Sequence, residues 1–166
     1  MAQKPIPVIL DCDPGHDDAI ALLLALASPE LDLLGVTTTY GNQTLEKTTA
    51  NALRVLELVG RTDVGVASGA AAPLRRDLVV AAHVHGESGL DGPVLPMAAT
   101  APASTNAVAF IAELIGEAPR PVTVVPTGPL TNVARYLDAH DAEGIERIVL
   151  MEERVSDVSR ASFGRR

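Results

Sequence analysis

The sequence predicts an α/β protein, an open and mostly parallel β-sheet with helices on both faces, and three observations lead there. A chain of 166 residues is long enough for one domain with a sizeable core. Its 47% hydrophobic and 20% charged residues describe a globular chain rather than a disordered one, and with only 2% aromatics that core must be mostly aliphatic. Short β-rich apolar runs alternate with helix-like stretches, the rhythm of a parallel sheet covered on both sides.

Ile6 to Leu10 reads as the first strand, closed by a Pro-Gly turn, and the leucine- and alanine-rich stretch from Asp17 to Ala27 reads as a helix. Leu31 to Thr39 reads as a strand, Thr44 to Val59 as a helix with Leu53, Leu56 and Val59 on its apolar side, and Val64 to Ala67 as a short strand. The rhythm then breaks. From Ser68 to Pro102 the chain is rich in Gly, Ala and Pro and carries His83 and His85; a loop of that length inside a compact domain is often functional. Ala103 to Gly116 is expected to be helical with Ser104 or Thr105 as its N-cap, followed by a strand at Val122 to Val125, a helix at Leu130 to Ala139 and a strand at Ile145 to Met151. No internal repeat is present.

The formal net charge of -8 opposes the basic surface that sequence-independent nucleic-acid binding needs, so nucleic acid is not expected as a partner. The longest apolar run, Ala19 to Ala27, is too short to span a membrane, and the N-terminus enters a strand without the regions of a secretory signal, so the expected location is cytoplasmic. Cys12 is the only cysteine, which excludes an intrachain disulfide and a multi-cysteine zinc site; it reads as a small buried residue.

The chemistry concentrates after the first strand. Asp11, Asp13, Asp17 and Asp18 fall within eight residues, and four carboxylates so close repel one another unless a cation or protons neutralise some of them. Oxygen ligands select a hard ion, calcium or magnesium, and a loop with few rigid constraints suits calcium. The positive end of a helix dipole accounts for Asp17 and Asp18 but leaves Asp11 and Asp13, on the strand side, unexplained. In open α/β sheets such a loop lies where ligands bind, beyond the carboxyl ends of the strands.

The run Val8-Ile9-Leu10-Asp11-Cys12-Asp13-Pro14-Gly15-His16-Asp17-Asp18-Ala19 resembles the signature of the inosine-uridine-preferring nucleoside hydrolase family. Gly35-Val36-Thr37-Thr38-Thr39-Tyr40-Gly41-Asn42 and Val125-Pro126-Thr127-Gly128-Pro129-Leu130-Thr131-Asn132 are similar to it in the expected order. The resemblance implies a Rossmann-like nucleoside hydrolase fold, here incomplete at its C-terminus. It implies calcium held by the carboxylates of Asp13 and Asp18 and the backbone carbonyl of Thr127, with Asp17 and Asn42 holding the ribose and the attacking water. Asp13 is then the general base, taking the proton of a calcium-polarised water as it attacks C1′. His85 falls near the nucleobase, where it would touch or protonate the leaving base, and Asp11 supports the loop. The resemblance further implies a ribonucleoside substrate, ribose and a free base as products, a setting in purine or pyrimidine salvage, and a homo-oligomer. Taken singly, Asn42 reads equally as a turn residue, Thr127 as the start of a capping turn, His85 as a solvated loop histidine and His16 as charge balance.

The resemblance runs to Met151. Residues 1–151 are expected to form the N-terminal part of a nucleoside hydrolase domain, and 152–166, where Glu152-Glu153-Arg154 stands in place of the family's glycine-rich loop, a divergent and disordered tail. That change suggests a truncated or frame-shifted product, with a domain fragment as the alternative, and an activity impaired by the truncation. Two further readings are a non-catalytic remnant that binds calcium or ribose, and an aspartyl-phosphate phosphatase with Asp11 as nucleophile and Asp13 as acid/base. Pro14-Gly15 departs from the phosphatase pattern, which also predicts neither Asn42 nor the Pro126–Pro129 loop.

Overall fold

The computed structural model describes residues 4–150, so Met151 and the tail at 152–166 lie outside the described residues. Five parallel strands form one sheet: β1 (Ile6–Cys12), β2 (Leu31–Thr38), β3 (Gly65–Ser68), β4 (Val122–Pro126) and β5 (Ile145–Ile148), in the order β3-β2-β1-β4-β5. The crossovers are α1 (His16–Ala27), α2 (Leu45–Leu58), α4 (Ala107–Glu117) and α5 (Thr131–Ala139), with a single helical turn, α3 (Ala82–His85), in the long loop.

β1 is central, so both of its faces are covered. Val8, Leu10 and Cys12 pack with Leu22 and Ala25 of α1 and Leu53 and Leu56 of α2. Ile9 packs on the other side with Ile111 of α4 and Tyr136 of α5. This period-two alternation sends Asp11 to the α4/α5 side and Cys12 into the α1/α2 core. The strand order reverses between β1 and β4, so the loops after these two strands diverge and leave a crevice at their carboxyl ends.

Two boundaries differ from expectation. The helix placed at Ala103 starts at Ala107, capped by Asn106, whose side-chain oxygen accepts from the Ala109 N–H at 3.2 Å rather than by Ser104 or Thr105. Residues 103–104 instead extend along β3: the Ala103 N–H donates to the Val66 carbonyl (2.7 Å) and the Ser68 N–H to the Ser104 carbonyl (3.0 Å). The free backbone groups of β3 outcompete helix propensity there. β5 ends at Ile148, although Val149 still donates to the Val124 carbonyl at 2.9 Å.

The loop after β3 is anchored by side chains of α2 and the loop before it. Asn51, fully buried, donates to the carbonyls of Pro14 (3.1 Å) and Ser88 (2.9 Å), and Gln43 donates to the Gly86 carbonyl (3.1 Å). Farther along, the Glu57 carboxylate accepts from the N–H groups of Ala99 and Thr100 and from the Thr100 hydroxyl, bonds that hold its pKa below the usual carboxylate value. The tethers to Pro14, Ser88 and Gly86 bring α3 over the acidic loop.

Candidate functional site

Asp11 is completely buried at the end of β1. One of its oxygens accepts from the Thr37 hydroxyl (2.7 Å) and from the Asn132 amide (2.8 Å), while the other has no hydrogen-bond partner. Burial raises its pKa to about 6, against the lowering effect of those two bonds. Asn132 ties three segments together: its amide also donates to the Thr38 carbonyl (3.0 Å) and its oxygen accepts from the Ala70 N–H (2.8 Å). Sequence reading gave Asn132 and Thr37 no role of their own. The available signal was a pair of polar residues facing an otherwise apolar core from α5 and β2.

Asp13 follows on the same side, where the strand opens into the crevice. Its carboxylate accepts from the Asn42 N–H at 2.6 Å, and the Asn42 side-chain amide donates both to the Asp13 carbonyl (3.0 Å) and to the Asp18 carboxylate (3.0 Å). Gly41 lies against the Asp13 carboxylate so closely that a Cβ would collide with it, and its φ of +149° is one that side chains disfavour. Asp18 sits in the first turn of α1, accepts from the Gly15 N–H (3.3 Å) and takes a 2.6 Å hydrogen bond from the Thr127 hydroxyl. The helix-capping role open to Asp18 from the sequence is therefore filled, together with contacts that capping does not require. The Thr127 N–H donates to the Asp11 carbonyl at 2.8 Å, which fixes the loop after β4 against the end of β1.

Burial, reinforced by the charge of Asp18, pushes the Asp13 pKa up to about 8, and burial raises Asp18 as well. Asp17 is exposed on the helix start, and its charge adds to both. Among the described residues the ion pairs are Lys47–Glu87, Arg61–Asp63 and Arg147–Glu146, none of them at this loop. Two desolvated carboxylates with no salt bridge among the described residues, and with the His85 ring the only basic group that lowers Asp18, are a donor set that a hard cation would satisfy. Among the described residues no group of three or more His, Cys, Asp or Glu side chains is arranged around one point.

His85, from α3, lies over the same loop. A Cβ on Gly15 would stand 2.6 Å from the His85 Nδ1 and 2.7 Å from the Asn42 amide, so the absent side chain is what lets both approach. His16, which sequence reading assigned no more than charge balance, stacks on His85 with ring centroids 5.6 Å apart. His83 is exposed. The structure thus gathers Asp13, Asp18, Asn42, Thr127 and His85 at the crevice, with Asp17 at its exposed rim. Asp11, the nucleophile of the phosphatase reading, is sealed beneath it.

A hydrogen-bonded acidic crevice where the strand order of a doubly wound sheet reverses defines a ligand-binding α/β protein whose site is made by strand-end loops. Residues 8–152 match the family described as inosine-uridine preferring nucleoside hydrolase, and the chain belongs to that family. It is 61% identical over 147 residues to the pyrimidine-specific ribonucleoside hydrolase RihA of Photobacterium profundum, covering 87% of this chain and 47% of that protein. It is 57% identical over 148 residues to RihA of Salmonella newport, with 88% and 48% covered. Among solved structures it is similar to a purine-preferring ribonucleoside hydrolase from Gardnerella vaginalis, with a TM-score of 0.81 and 36% identity over 87% of this chain and 48% of that one. The chain spans about half the length of the curated relatives it matches.

Proposed function

We propose that this chain carries the strand-one half of a ribonucleoside hydrolase site, which cleaves the N-glycosidic bond to give ribose and a free base. The observation that carries the reading is the buried Asp13–Asp18 carboxylate pair, bridged by Asn42, with the Thr127 hydroxyl on Asp18 and no salt bridge to either carboxylate among the described residues. Asp13, Asp18 and the Thr127 backbone carbonyl would hold calcium, which when bound supplies polarisation of a water and an anchor for ribose hydroxyls. Asp13 takes the proton of the attacking water, and Asn42 and Asp17 orient the sugar. Positive charge developing on the ribose is stabilised by the surrounding carboxylates. His85 meets the departing base and hands it a proton. The names of the relatives near 60% identity favour a pyrimidine ribonucleoside, and a cytoplasmic, salvage-type role in a homo-oligomer goes with this reading.

Isothermal titration of the purified chain with calcium tests the reading. Binding that disappears in Asp13→Ala is expected; absence of binding by the parent chain overturns the half-site as a preformed calcium site. Release of reducing sugar from uridine and inosine then separates the enzyme from the second reading, a non-catalytic remnant that binds calcium or ribose.

A further inference from the structure

The loops after β2 and β4 meet at the crevice although their strands are not neighbours, because β1 lies between them. Each loop delivers one group to Asp18: the Asn42 amide reaches Oδ2 (3.0 Å) and the Thr127 hydroxyl reaches Oδ1 (2.6 Å). The same loops enclose Asp13, since a Cβ on Gly41 would collide with its Oδ2 and a Cβ on Gly128 would stand 2.5 Å from its Oδ1. They also lie against each other, the Gly41 Cβ position being 3.0 Å from the Pro129 Cδ. Strand pairing joins β2 and β4 only to β1 at this point, so no ladder hydrogen bond sets the distance between the two loops.

A pair of buried hydroxyls spans the gap. Tyr40, just before Gly41 and Asn42, and Thr131, in the first turn of α5 beyond Thr127, have their hydroxyl oxygens 3.0 Å apart, and each residue is only 7% exposed. Both ends are anchored: the Tyr40 N–H donates to the Ala70 carbonyl (3.1 Å) and the Thr131 N–H to the Pro129 carbonyl (2.8 Å). Asn132 already ties α5 to the carbonyl of Thr38, the last residue of β2. The Tyr40 hydroxyl carries that tie past the strand end, to the segment that turns into Gly41 and Asn42. We infer that Tyr40 is a positioning residue whose hydroxyl, bonded to Thr131, fastens the loop after β2 to the loop after β4 and so holds Asn42 and Thr127 on the two oxygens of Asp18. Packing is non-directional and would let the loops slide, whereas a hydrogen bond fixes a distance and an angle, and a buried one is costly to leave half made. The importance of this tie for metal binding rests on the reading proposed above; the tie itself does not.

The test breaks the bond from one loop and reads the other, in the 1H–15N correlation spectrum of the full 15N-labelled chain in chelator. Thr131→Val keeps the shape of the side chain and loses its hydroxyl; it should move the Asn42 amide proton, which donates to the Asp13 carboxylate at 2.6 Å, upfield as that short bond lengthens. Tyr40→Phe keeps the buried ring and should move the Thr127 amide proton, which donates to the Asp11 carbonyl at 2.8 Å, in the same direction. Thr131→Ser retains the hydroxyl and should leave Asn42 at its parental position. An Asn42 signal unmoved in Thr131→Val, a Thr127 signal unmoved in Tyr40→Phe, or a serine variant that shifts Asn42 as far as valine does overturns the assignment, even where the melting temperature falls. The spectrum needs neither metal nor turnover, so failure of the hydrolase reading is seen separately: both cross-loop shifts in a chain that binds no calcium on titration remove the metal site and keep the positioning role.

Discussion

At the scale of single residues the site depends on groups that are costly to bury and are held in place by specific partners. Asn132 makes three hydrogen bonds from a fully buried position, two of them to backbone. Asn132→Ala should destabilise the chain by about 3 kcal/mol, because the Thr38 carbonyl and the Ala70 N–H lose their partner and Asp11 keeps only Thr37. Urea unfolding measures this, and a loss below about 1 kcal/mol would mean that water replaces the amide. The protonation of the aspartates gives a second expectation. Asp11 at about 6 and Asp13 at about 8 both lie above their unfolded value of 3.8, so between these limits the folded chain binds more protons than the unfolded one. Their contribution to stability is fully present below pH 3.8 and is lost as pH rises through 6 and then 8. In chelator, the melting temperature should therefore fall between pH 5 and pH 8.5, and Asp13→Asn should flatten the upper part of that fall; a melting temperature that climbs over this range contradicts the assignment.

At the scale of elements, what could be read from the sequence separates by the range of the interaction that decides it. β1, α1, β2 and α2 follow from local apolar periodicity, and their bounds came within a residue or two. The start of α4 did not, because residues 103–104 are claimed by β3, more than thirty residues earlier in the chain. The same distinction holds in the site. Asp13, Asp18 and Asn42 stand in compact motifs, whereas the Asp11–Asn132 bond joins residues 121 apart and the His16–His85 pair residues 69 apart. A single sequence shows neither pairing, since nothing local in it marks which loop residue returns to which strand end. The N-cap of α4 offers a test at this scale. Asn106→Ala should cost about 1 kcal/mol, while Ser104→Ala, outside the helix, should cost less than half as much. Equal losses in denaturant unfolding would place the helix start at the expected position instead.

At the scale of the whole molecule, the described residues leave apolar surface that one domain layer does not cover. α1 presents Ile20 and Leu24, 64% and 65% exposed and one turn apart on the same face, and Val149 and Leu150 are about half exposed beyond β5. Among the described residues β5 pairs with β4 alone, so its other edge has no strand partner there. An edge strand beside exposed aliphatic side chains is a template for a second copy of the chain. The purified chain should therefore self-associate reversibly, with a sedimentation coefficient that rises with concentration. Full burial of one leucine or isoleucine contributes about 1.5–3 kcal/mol, so Ile20→Lys or Leu24→Lys should each weaken association about tenfold or more if α1 lies in the contact. If both variants associate like the parent while a lysine at Ile148 abolishes it, the β5 edge is the contact and α1 is not. A parent chain that stays monomeric at high concentration would instead show that this surface is satisfied within the chain itself.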